Sequence, residues 1–420
     1  MEEWKEYRLG DVLEKKGYIR GPFGSALRRN ELYDHGIPVY EQQHAIYNRR
    51  DFRYYINEEK YTEMKRFAVC PQDIIISCSG TVGEVSLIKE TDPIGIISQA
   101  LLLLRVNKSV ILPKYLFYFL KTSEGHNAIV SRSSGSVQVN IAKREVIESI
   151  PMIIPPLKLQ NAICDILQSL DDKIEVNKHI NDNLEQQAQA LFKSWFVDYE
   201  PFKDGEFEES ELGMIPKGWK VKSLSEIADY RNGLAMQKFR PIDGEGGLPV
   251  LKIKELGQGL CDDSSELCSP FLIGEKYIIN DGDIIFSWSG TLMVKVWCGG
   301  KCGLNQHLFL VVSQEFPKWF AYKWTQHHLD NFIRIAKDKA VTMGHIKRGE
   351  LDKAKVVVPD EAGMSSINAM MTPLLDQIIA NQIESRRLAQ LRDTLLPCLM
   401  SGELVVGELD NNIQETSSVK

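Results

Sequence analysis

The sequence lacks any apolar run long enough to cross a bilayer. Its longest apolar stretches, such as residues 101–104 and 356–358, fall far short of the roughly 20 residues that a membrane helix requires. The first residues show no basic segment followed by an apolar one, so no signal peptide is visible. Eight scattered cysteines without a CxxC pair are typical of reduced thiols. We therefore predict a cytoplasmic protein without a membrane segment.

The sequence also lacks the motifs of several enzyme classes. It contains no GxxxxGK[ST] phosphate loop, no GxGxxG after a predicted strand, no [ND]PP[YF] methyltransferase motif and no HxE…PCxxC deaminase motif. No nuclease signature of paired carboxylates with a lysine is evident. The glycine-rich segments 244–247 and 257–259 are incomplete and lie in loop-like sequence. These absences weigh against a catalytic chain.

The charge balance bears on which partners the chain could bind. A net charge of −7 disfavours tight nucleic-acid binding by the chain alone, because such binders usually carry a basic excess that neutralises phosphates. Any basic surface must therefore be local, or partners must supply much of the phosphate contact. The length of 420 residues predicts two or three domains.

An internal repeat covers most of the chain. The offset between matching segments narrows from 210 to 204 residues through small gaps, and their order is preserved. The matching segments are residues 73–81 and 283–291 (DIIxSxSGT), residues 98–104 and 305–311, Pro113 and Pro317, and Lys143-Arg144 and Lys347-Arg348. We interpret this repeat as two copies of one mixed α/β domain.

Each copy is predicted to contain a core strand that ends in a tight turn. Residues 73–77 and 283–287 are β-rich, and each run precedes a Ser-Gly-Thr turn. In a second interpretation, the hydroxyls and amides of this turn face a phosphate, and the two interpretations are compatible. A short helix is predicted after Pro113 and after Pro317.

Each copy is followed by a segment with the spacing of a coiled-coil seam. Seam positions alternate at intervals of four and three residues, and adding 204 to each first-seam position gives the second seam. The first seam is Ile163, Leu167, Leu170, Ile174, Asn177, Asn181, Leu184, Ala188, Leu191 and Trp195. Matched seams favour pairing of the two helices with each other, and two separate amphipathic helices are the alternative.

The seam asparagines and the linker predict how these helices pair. Asn177 and Asn381 are expected to set the register, because a seam asparagine destabilises pairing and is tolerated where it specifies alignment. The short linker 201–215 favours an antiparallel pair with one domain at each end. About 33 helical residues make a spacer of about 50 Å. That spacing suits two DNA segments separated by a helical turn or more.

A zinc site is the main alternative role for the cysteines. Cys298 and Cys302, with Cys261 and Cys268 upstream, are the candidate ligands, although a ligand spacing of three is unusual. The first copy has no counterpart to either pair, which favours ordinary buried or loop thiols. The histidines show no metal-like spacing, so we predict no metal site.

The most specific motifs lie near the domain boundaries. They are SVQVNI (136–141) followed by IPPL (154–157), LFKSWFVDYEP (191–201), PKGW (216–219) and LLPCLMSGEL (395–404). With tandem variable domains, each followed by a long helix, these motifs resemble the specificity subunits of type I restriction–modification systems over nearly the whole chain. The second copy departs from the pattern at 342–345, where TMGH replaces QVNI, and at 360–363, where DEAG replaces the Pro-Leu boundary.

The resemblance implies a division of labour among subunits. Each variable domain would bind one half of a split target in double-stranded DNA, and the helices would dock two DNA methylation subunits. S-adenosylmethionine would be bound by those subunits, and ATP and magnesium by restriction and motor subunits, so this chain would carry no cofactor and no catalytic residue. The missing motifs are then expected, and the acidic charge is less of a problem because partners also clamp DNA.

We therefore predict an α/β (α+β) protein with two tandem homologous target-recognition domains, each followed by a long helix, and with the two helices pairing as an antiparallel coiled coil. The predicted boundaries are 1–156 for the first domain, 157–200 for the first helix, 201–215 for the linker, 216–360 for the second domain, 361–405 for the second helix and 406–420 for an acidic flexible tail.

Candidate DNA-contacting residues are polar and basic side chains of predicted loops and turns, because these types reach base edges or phosphates. In the first copy they are Arg20, Arg28, Arg29, Gln42, Gln43, Arg49, Arg50, Arg53, Ser79, Thr81, Arg132, Gln138, Lys143 and Arg144. In the second copy they are Arg231, Asn232, Gln237, Lys238, Arg240, Lys252, Lys254, Ser289, Thr291, Lys347 and Arg348. For each, a solvated surface side chain is the alternative. The two Lys-Arg pairs could equally reflect packing shared by both copies.

Two other functions remain open. A coiled-coil scaffold whose globular ends bind proteins would show no DNA affinity even with methylation partners present. An enzyme with an unrecognised site, such as a nuclease, would show metal-dependent turnover by the purified chain alone.

Overall fold

The chain forms two compact units, each containing one copy of the repeat. The computed structural model describes residues 4–23, 26–130, 140–242, 244–338, 346–404 and 406. The first unit comprises Met1–Asp171 with Gln390–Lys420, and the second comprises Asp172–Ala389. Across these described ranges, no helix is both long and apolar enough to cross a membrane.

The first unit is a mixed α/β domain. Its strands are β1 (Lys5–Arg8), β2 (Leu13–Arg20), β3 (Ile37–Tyr40), β4 (Tyr55–Ile56), β5 (Ile74–Ser77), β6 (Val85–Leu87), β7 (Ile96–Ile97), β8 (Leu101–Val106) and β9 (Pro151–Ile154). Its helices are α1 (Gln42–Ile46), α2 (Glu58–Glu63), α3 (Pro113–Lys121), α4 (Ser123–Val130), α5 (Arg144–Glu148) and the first part of α6 (Leu157–Phe196).

A central antiparallel sheet organises this unit, with the strand order β2-β8-β5-β6. A smaller sheet has the order β4-β3-β7, and its strands β3 and β7 are parallel. β1 pairs with β9, so the two ends of the repeat lie side by side. This pairing closes the domain just before α6 begins.

The central sheet is buried on both faces. Leu102 and Leu104 belong to one apolar core, which also contains Leu116 of α3, whereas Leu101 and Leu103 belong to a second core. Because successive side chains point to opposite faces of a strand, a strand buried on both faces reads as a continuous apolar run. This explains the unbroken leucines of residues 101–104.

The second unit repeats this plan. Its strands are β10 (Phe207–Ser210), β11 (Gly213–Pro216), β12 (Lys220–Ser223), β13 (Asp229–Asn232), β14 (Leu248–Leu251), β15 (Leu267–Cys268), β16 (Ile278–Ile279), β17 (Asp283–Ser287), β18 (Met293–Trp297), β19 (Cys302–Leu304), β20 (Leu308–Val312) and β21 (Lys355–Val358). Its helices are the second part of α6, α7 (Leu224–Ile227), α8 (Ile253–Gln258), α9 (Lys318–His327), α10 (Leu329–Asp338), α11 (Gly349–Lys353) and most of α12 (Glu361–Ser401).

The sheets of the second unit follow the plan of those of the first, with one additional strand, β16, in the smaller sheet. The central sheet has the order β13-β20-β17-β18, the smaller one has the order β15-β14-β19-β16 with β14 and β19 parallel, and β12 pairs with β21. Phe309 and Val311 of β20 face one core, and Leu308 and Leu310 face another. The predicted duplication of a mixed α/β domain is therefore confirmed.

The two long helices pair in antiparallel fashion. In the second unit, Asn181 Nδ2 donates to the carbonyl of Ile378 at 3.2 Å, and Asn177 Nδ2 donates to Ser385 Oγ at 3.3 Å. In the first unit, Arg392 donates to Asp171 Oδ1 at 2.6 Å. Residues further along α6 therefore contact residues nearer the start of α12, which confirms the predicted antiparallel direction. All twenty predicted seam positions are buried or half-buried.

The seam asparagines are bonded across the helix pair. Asn177 is fully buried and donates to Glu384 Oε2 at 2.7 Å. Asn381 Nδ2 donates to Asn181 Oδ1 at 2.8 Å, and its own Oδ1 accepts from Gln377 at 2.7 Å. Within the described chain, Asn177 Oδ1 has no hydrogen-bond partner. The role of Asn177 and Asn381 in setting the register stays a prediction.

The helices after Pro113 and Pro317 are confirmed as α3 and α9, and each is followed by a further helix that the sequence analysis did not predict, α4 and α10. Within residues 201–215, predicted to be a linker, β10 and β11 build a hairpin that ends at Pro216. Arg132, Gln138 and residues 407–420 of the predicted tail lie outside the described residues.

Candidate nucleic-acid interface

In the first unit, four chain segments converge at one end of the central sheet. Gly21 N donates to the Leu101 carbonyl at 3.0 Å, and Cys78 N donates to the Ala100 carbonyl at 2.9 Å. Ile141 N in turn donates to the Cys78 carbonyl at 2.9 Å. We call this end the first strand-end surface, defined by Arg20, Gly21, Cys78, Ser79, Gln99 and Asn140.

Glycine is needed where two of these segments cross. A Cβ atom on Gly21 would lie 1.9 Å from the Ser98 carbonyl oxygen, and one on Gly233 would lie 2.2 Å from the Asn305 carbonyl oxygen. Such distances are impossible without moving backbone, so only glycine allows this approach. The close crossing places the backbone of Gly21 against Ser98 and Gln99 in one copy and the backbone of Gly233 against Leu304 and Asn305 in the other.

The second unit has the equivalent arrangement. Gly233 N donates to the Leu308 carbonyl at 3.0 Å, and Ile346 N donates to the Trp288 carbonyl at 3.2 Å. Trp288 Nε1 donates to Asn232 Oδ1 at 3.1 Å. The second strand-end surface is defined by Asn232, Gly233, Trp288, Ser289, Gln306 and His307.

Strand register establishes which residues correspond. Arg20 lies opposite Leu102, and Asn232 lies opposite Phe309. Leu102 and Phe309 each pair with the fourth residue of the DIIxSxSGT repeat. Arg20 and Asn232 are therefore equivalent, and the same register aligns Tyr18 with Tyr230. The two surfaces share a backbone framework and differ in side chains.

A cationic groove of about 720 Å³ adjoins the first strand-end surface. Three basic side chains, Arg20, Lys143 and Arg144, and one acidic side chain, Glu145, line it. Phe23 is 67% exposed at the groove, with the Arg20 guanidinium 5.6 Å from its ring centre. Basic groups combined with an exposed aromatic ring suit a nucleic acid, because they can contact phosphates and stack on bases.

Tyr18 lines this groove. Burial raises the pKa of its hydroxyl to about 12, so the ring stays neutral under ordinary conditions. The Arg144 guanidinium lies 5.1 Å from the centre of this ring and pairs with Glu148 at 2.8 Å. Arg144 is thus held by the domain while about half of its side chain remains exposed.

The corresponding arginine of the second copy is held in a related way. Arg348 donates to the carbonyl of Tyr230, the equivalent tyrosine, at 3.0 Å, and it is 69% exposed. The groove beside it, of about 360 Å³, is lined by three acidic side chains, Glu226, Asp229 and Glu315, and two basic ones, Arg231 and Arg348. Both copies therefore use this arginine in packing, but only the first groove is predominantly basic.

The Ser-Gly-Thr turns show which hydroxyls are available. Ser77 and Ser287 are buried: Ser77 Oγ accepts from the backbone of Glu84 at 3.0 Å, and Ser287 Oγ donates to the Thr291 carbonyl at 2.8 Å. Ser289 is also buried. Thr81 and Thr291 are exposed. The core-strand interpretation is thus confirmed, and a phosphate contact stays a prediction for the threonines.

Several predicted contact residues are engaged inside their own domain. Arg50 Nε donates to Asp92 at 2.7 Å, and its other nitrogens reach Ser86 Oγ and three backbone carbonyls. Arg53 makes a two-bond pair with Glu41. Ser79 Oγ donates to Asn140 Oδ1 at 2.8 Å. The paired residues of the second copy are Lys252 with Glu266, Lys254 with Asp262, and Arg231 with Asp229.

The remaining candidates are more accessible. Gln42 and Gln43 are half-buried on α1. The exposed candidates are Arg28, Arg29, Arg49, Lys143, Gln237, Lys238, Arg240 and Lys347. The structure brings Arg20, Ser79, Lys143 and Arg144 together at the first surface and its groove. It brings Asn232 and Ser289 together at the second.

Sequence reasoning missed part of both surfaces. Gln99, Gln306 and His307 were absent from the candidates although residues 98–104 and 305–311 were recognised as a repeat. The available signal was the glutamine at the same position of both copies. Phe23 was missed because an isolated aromatic residue in a loop carries no pattern.

The charge of the chain is unevenly distributed. Residues 1–156 carry 21 basic and 19 acidic side chains, and residues 216–360 carry 20 basic and 17 acidic ones. Both recognition domains are therefore net positive, and the excess of acid lies in the long helices, the 201–215 segment and the C-terminal residues. The overall charge of −7 therefore does not describe these two segments, whose own net charges are +2 (21 − 19) and +3 (20 − 17).

The cysteines are all unbridged. Burial raises the pKa of the Cys298 thiol to about 11. Among the side chains that the structure describes, no group of three or more His, Cys, Asp or Glu residues is arranged to hold a metal ion.

Duplicated mixed domains that both carry amide side chains at the strand ends, one of them beside a basic groove, and that are each followed by a long helix indicate a tandem nucleic-acid-recognition protein. The family model of the type I restriction modification DNA specificity domain matches residues 1–186 and 216–392. The chain therefore belongs to this family.

Specificity subunits of type I restriction enzymes are among the similar proteins. The specificity subunit of the type I restriction enzyme MjaIX from Methanocaldococcus jannaschii is 29% identical over 313 residues, covering 72% of each chain. The specificity subunit of HindI from Haemophilus influenzae is 22% identical, covering 96% of this chain and 100% of its own. A solved S subunit from M. genitalium matches with a TM-score of 0.57 at 14% identity, covering 95% of this chain and 96% of its own, which supports the fold.

Proposed function

We propose that this chain is the DNA-specificity subunit of a type I restriction–modification complex. Each recognition domain binds one half of a bipartite target in double-stranded DNA, and the chain itself is not catalytic. The observation that carries the proposal is the match of the family model to both copies of a domain that builds the same strand-end framework twice.

Partner subunits supply the chemistry in this proposal. The paired helices dock two DNA methylation subunits, which bring S-adenosylmethionine, and restriction and motor subunits bring ATP and magnesium. We further propose that the complex works in the cytoplasm. The net positive charge of both recognition domains supports direct phosphate contact, and the partners contribute the rest of the grip on DNA.

A genome-wide map of methylated adenines tests the proposal. The map is made in the host with and without this gene, with the methylation partners shown to be expressed. Loss of methylation at one split motif, two short half-sites around a fixed unspecified gap, supports the proposal. An unchanged map contradicts it and leaves the protein-binding scaffold as the function to pursue.

Arg144 gives a test at the level of the groove. We expect Arg144→Ala to weaken DNA binding by the assembled complex, because it removes one cation that contacts phosphate. For the same reason, the salt dependence of binding should decrease. Binding is measured at several salt concentrations, and thermal unfolding separates a DNA contact from lost packing on Tyr18. Unchanged affinity at every salt concentration contradicts the assignment.

A further inference from the structure

Gln99 and Gln306 occupy equivalent positions on the two strand-end surfaces. Each lies in the connection leading into the central strand, β8 or β20, one residue beyond the carbonyl against which the obligatory glycine packs. The backbone around both is held by matching bonds, Gly21 N to the Leu101 carbonyl and Gly233 N to the Leu308 carbonyl, each 3.0 Å long. The duplicated framework therefore presents an amide side chain at the same place twice.

The two glutamines are not used to hold the domains together. Gln99 is exposed and makes no side-chain hydrogen bond to another described residue. Gln306 is half-buried, and the side-chain bond that it makes is local: its Nε2 donates to Nε2 of the adjacent His307 at 3.3 Å. A structural glutamine looks different in this protein: Gln160 is fully buried and bonds to the backbone of Leu112, Val110 and Pro155.

The residues around the glutamines differ between the copies. Arg20 and the buried Cys78 belong to the first strand-end surface with Gln99, whereas Asn232 and Trp288 occupy the equivalent positions of the second surface with Gln306. His307 adds an imidazole whose Nδ1 is buried without a partner in the described chain. A glutamine that is common to both surfaces, with different residues around it, suits two half-sites that have one base pair in common and differ at the others.

We propose that Gln99 and Gln306 read an equivalent adenine, one in each half of the target, through the major-groove edge of the base. A glutamine amide offers one donor and one acceptor, which match N7 and the N6 amino group of adenine. This inference rests on the proposed function, because it presupposes that the strand-end surfaces face DNA.

The test uses the complex assembled with its methylation subunits and a DNA library in which every position of both half-sites is varied. Gln99→Ala is expected to reduce adenine discrimination about 5- to 150-fold at one position of one half-site. Gln306→Ala is expected to do the same at one position of the other half-site. Gln258→Ala is the matched control, because this exposed glutamine is the last residue of α8 and lines neither groove.

A second variant separates base reading from packing. Glutamate accepts hydrogen bonds from the cytosine amino group but has no amide donor, so Gln306→Glu is expected to shift the preferred base at that position from adenine towards cytosine. A purely structural glutamine would not produce a new base preference.

Each outcome decides the proposal. Relaxed or altered preference at one position of the matching half-site supports it. Wild-type preference in the Gln99 and Gln306 variants, or a uniform loss of methylation on all sequences, overturns it. Failure of the proposed function is recognised separately, because the wild-type complex would then methylate no bipartite motif at all.

Discussion

Arg50 shows how a predicted DNA contact can serve the domain instead. Its guanidinium bonds to Asp92, Ser86 and backbone carbonyls, and its side chain is 19% exposed beside a carboxylate that is 7% exposed. Arg49, the preceding residue, is exposed and lies 5.7 Å from the ring centre of Tyr47. These adjacent arginines therefore differ in burial and in bonding partners, so the effects of replacing each by alanine can be compared directly.

We expect Arg50→Ala to lower the free energy of unfolding by about 2–4 kcal/mol, because it leaves a buried carboxylate without its cation. Arg49→Ala should change it by about 0.5 kcal/mol or less. Thermal and chemical denaturation of the two variants checks this. Equal effects would contradict the structural assignment of Arg50.

Asp281 provides a pH-dependent contact between a loop and α12. Arg386 donates to both carboxylate oxygens, at 2.6 and 2.8 Å, and the backbone of Gly300 donates to one of them at 2.8 Å. The Arg386 guanidinium lowers the pKa of this carboxyl below its usual range, and the Gly300 amide adds a smaller effect in the same direction. The contact therefore stabilises the fold at neutral pH and is lost as pH falls through the lowered pKa.

Asp281→Asn is expected to destabilise the protein by about 1 kcal/mol at pH 7. This difference should begin to shrink below about pH 4, where the carboxyl of the unfolded chain takes up a proton, and it should continue to shrink as pH falls through the lowered pKa of the folded state. Unfolding temperatures measured from pH 3 to 7 follow the effect. The exposed Asp263→Asn serves as control. A difference that stays constant over this range argues against the ion pair.

At the scale of the element, the helix pair contains buried amides that weaken it. Asn177 is fully buried with one unpartnered oxygen in the described chain, and its donor contacts Glu384 and Ser385. Ser385 also bonds to the Asn381 carbonyl at 2.7 Å, so it keeps a partner if Asn177 is replaced. The unpartnered oxygen is expected to cost stability, and alignment of the two helices stays the predicted role of this asparagine.

We expect Asn177→Leu to raise the stability of the second unit by about 1–2 kcal/mol, because it removes an unsatisfied buried acceptor and adds apolar contact. Chemical denaturation measures the gain, and Leu184→Ala, which removes apolar contact from the same seam, is the opposing control. A destabilised Asn177→Leu variant would show that the amide bonds outweigh the unsatisfied oxygen.

At the scale of the whole molecule, residues 1–156 and 216–360 carry a small positive excess, whereas the rest of the chain, including the long helices, is acidic. Charges act over about 30 Å at 0.01 M salt but only about 8 Å at 0.15 M. DNA bound to the recognition domains should therefore be repelled by the acidic parts at low salt and be indifferent to them at physiological salt. The net charge of the chain is then a poor guide to its binding.

Neutralising three exposed acids outside the recognition domains tests this separation. The triple variant Asp182→Asn, Asp204→Asn and Glu209→Gln should raise DNA affinity of the assembled complex at about 0.01 M salt and leave it unchanged at about 0.15 M. Titration of fluorescent DNA at both concentrations gives the answer. An equal gain at both would place these residues in direct contact with DNA.

The sequence by itself determined the duplication, the core strands and the helix seams, because each depends on local periodicity that is written along the chain. Residues 73–77 and 283–287 and the four-three seams are repeated patterns, and burial follows them directly. The antiparallel direction was also accessible, since a short linker restricts where the second domain can begin.

Only the tertiary structure decided which polar side chains face outward. Arg49 and Arg50 have the same residue type and nearly the same sequence neighbours. Arg50 is nevertheless half-buried, because it pairs with the carboxylate of Asp92, 42 residues further along the chain, whereas Arg49 is exposed. The first strand-end surface likewise brings together Arg20, Ser79, Gln99 and Asn140, which lie far apart in the sequence and share no local pattern. Their assembly depends on non-local strand pairing and on Gly21, whose missing side chain lets two backbones touch.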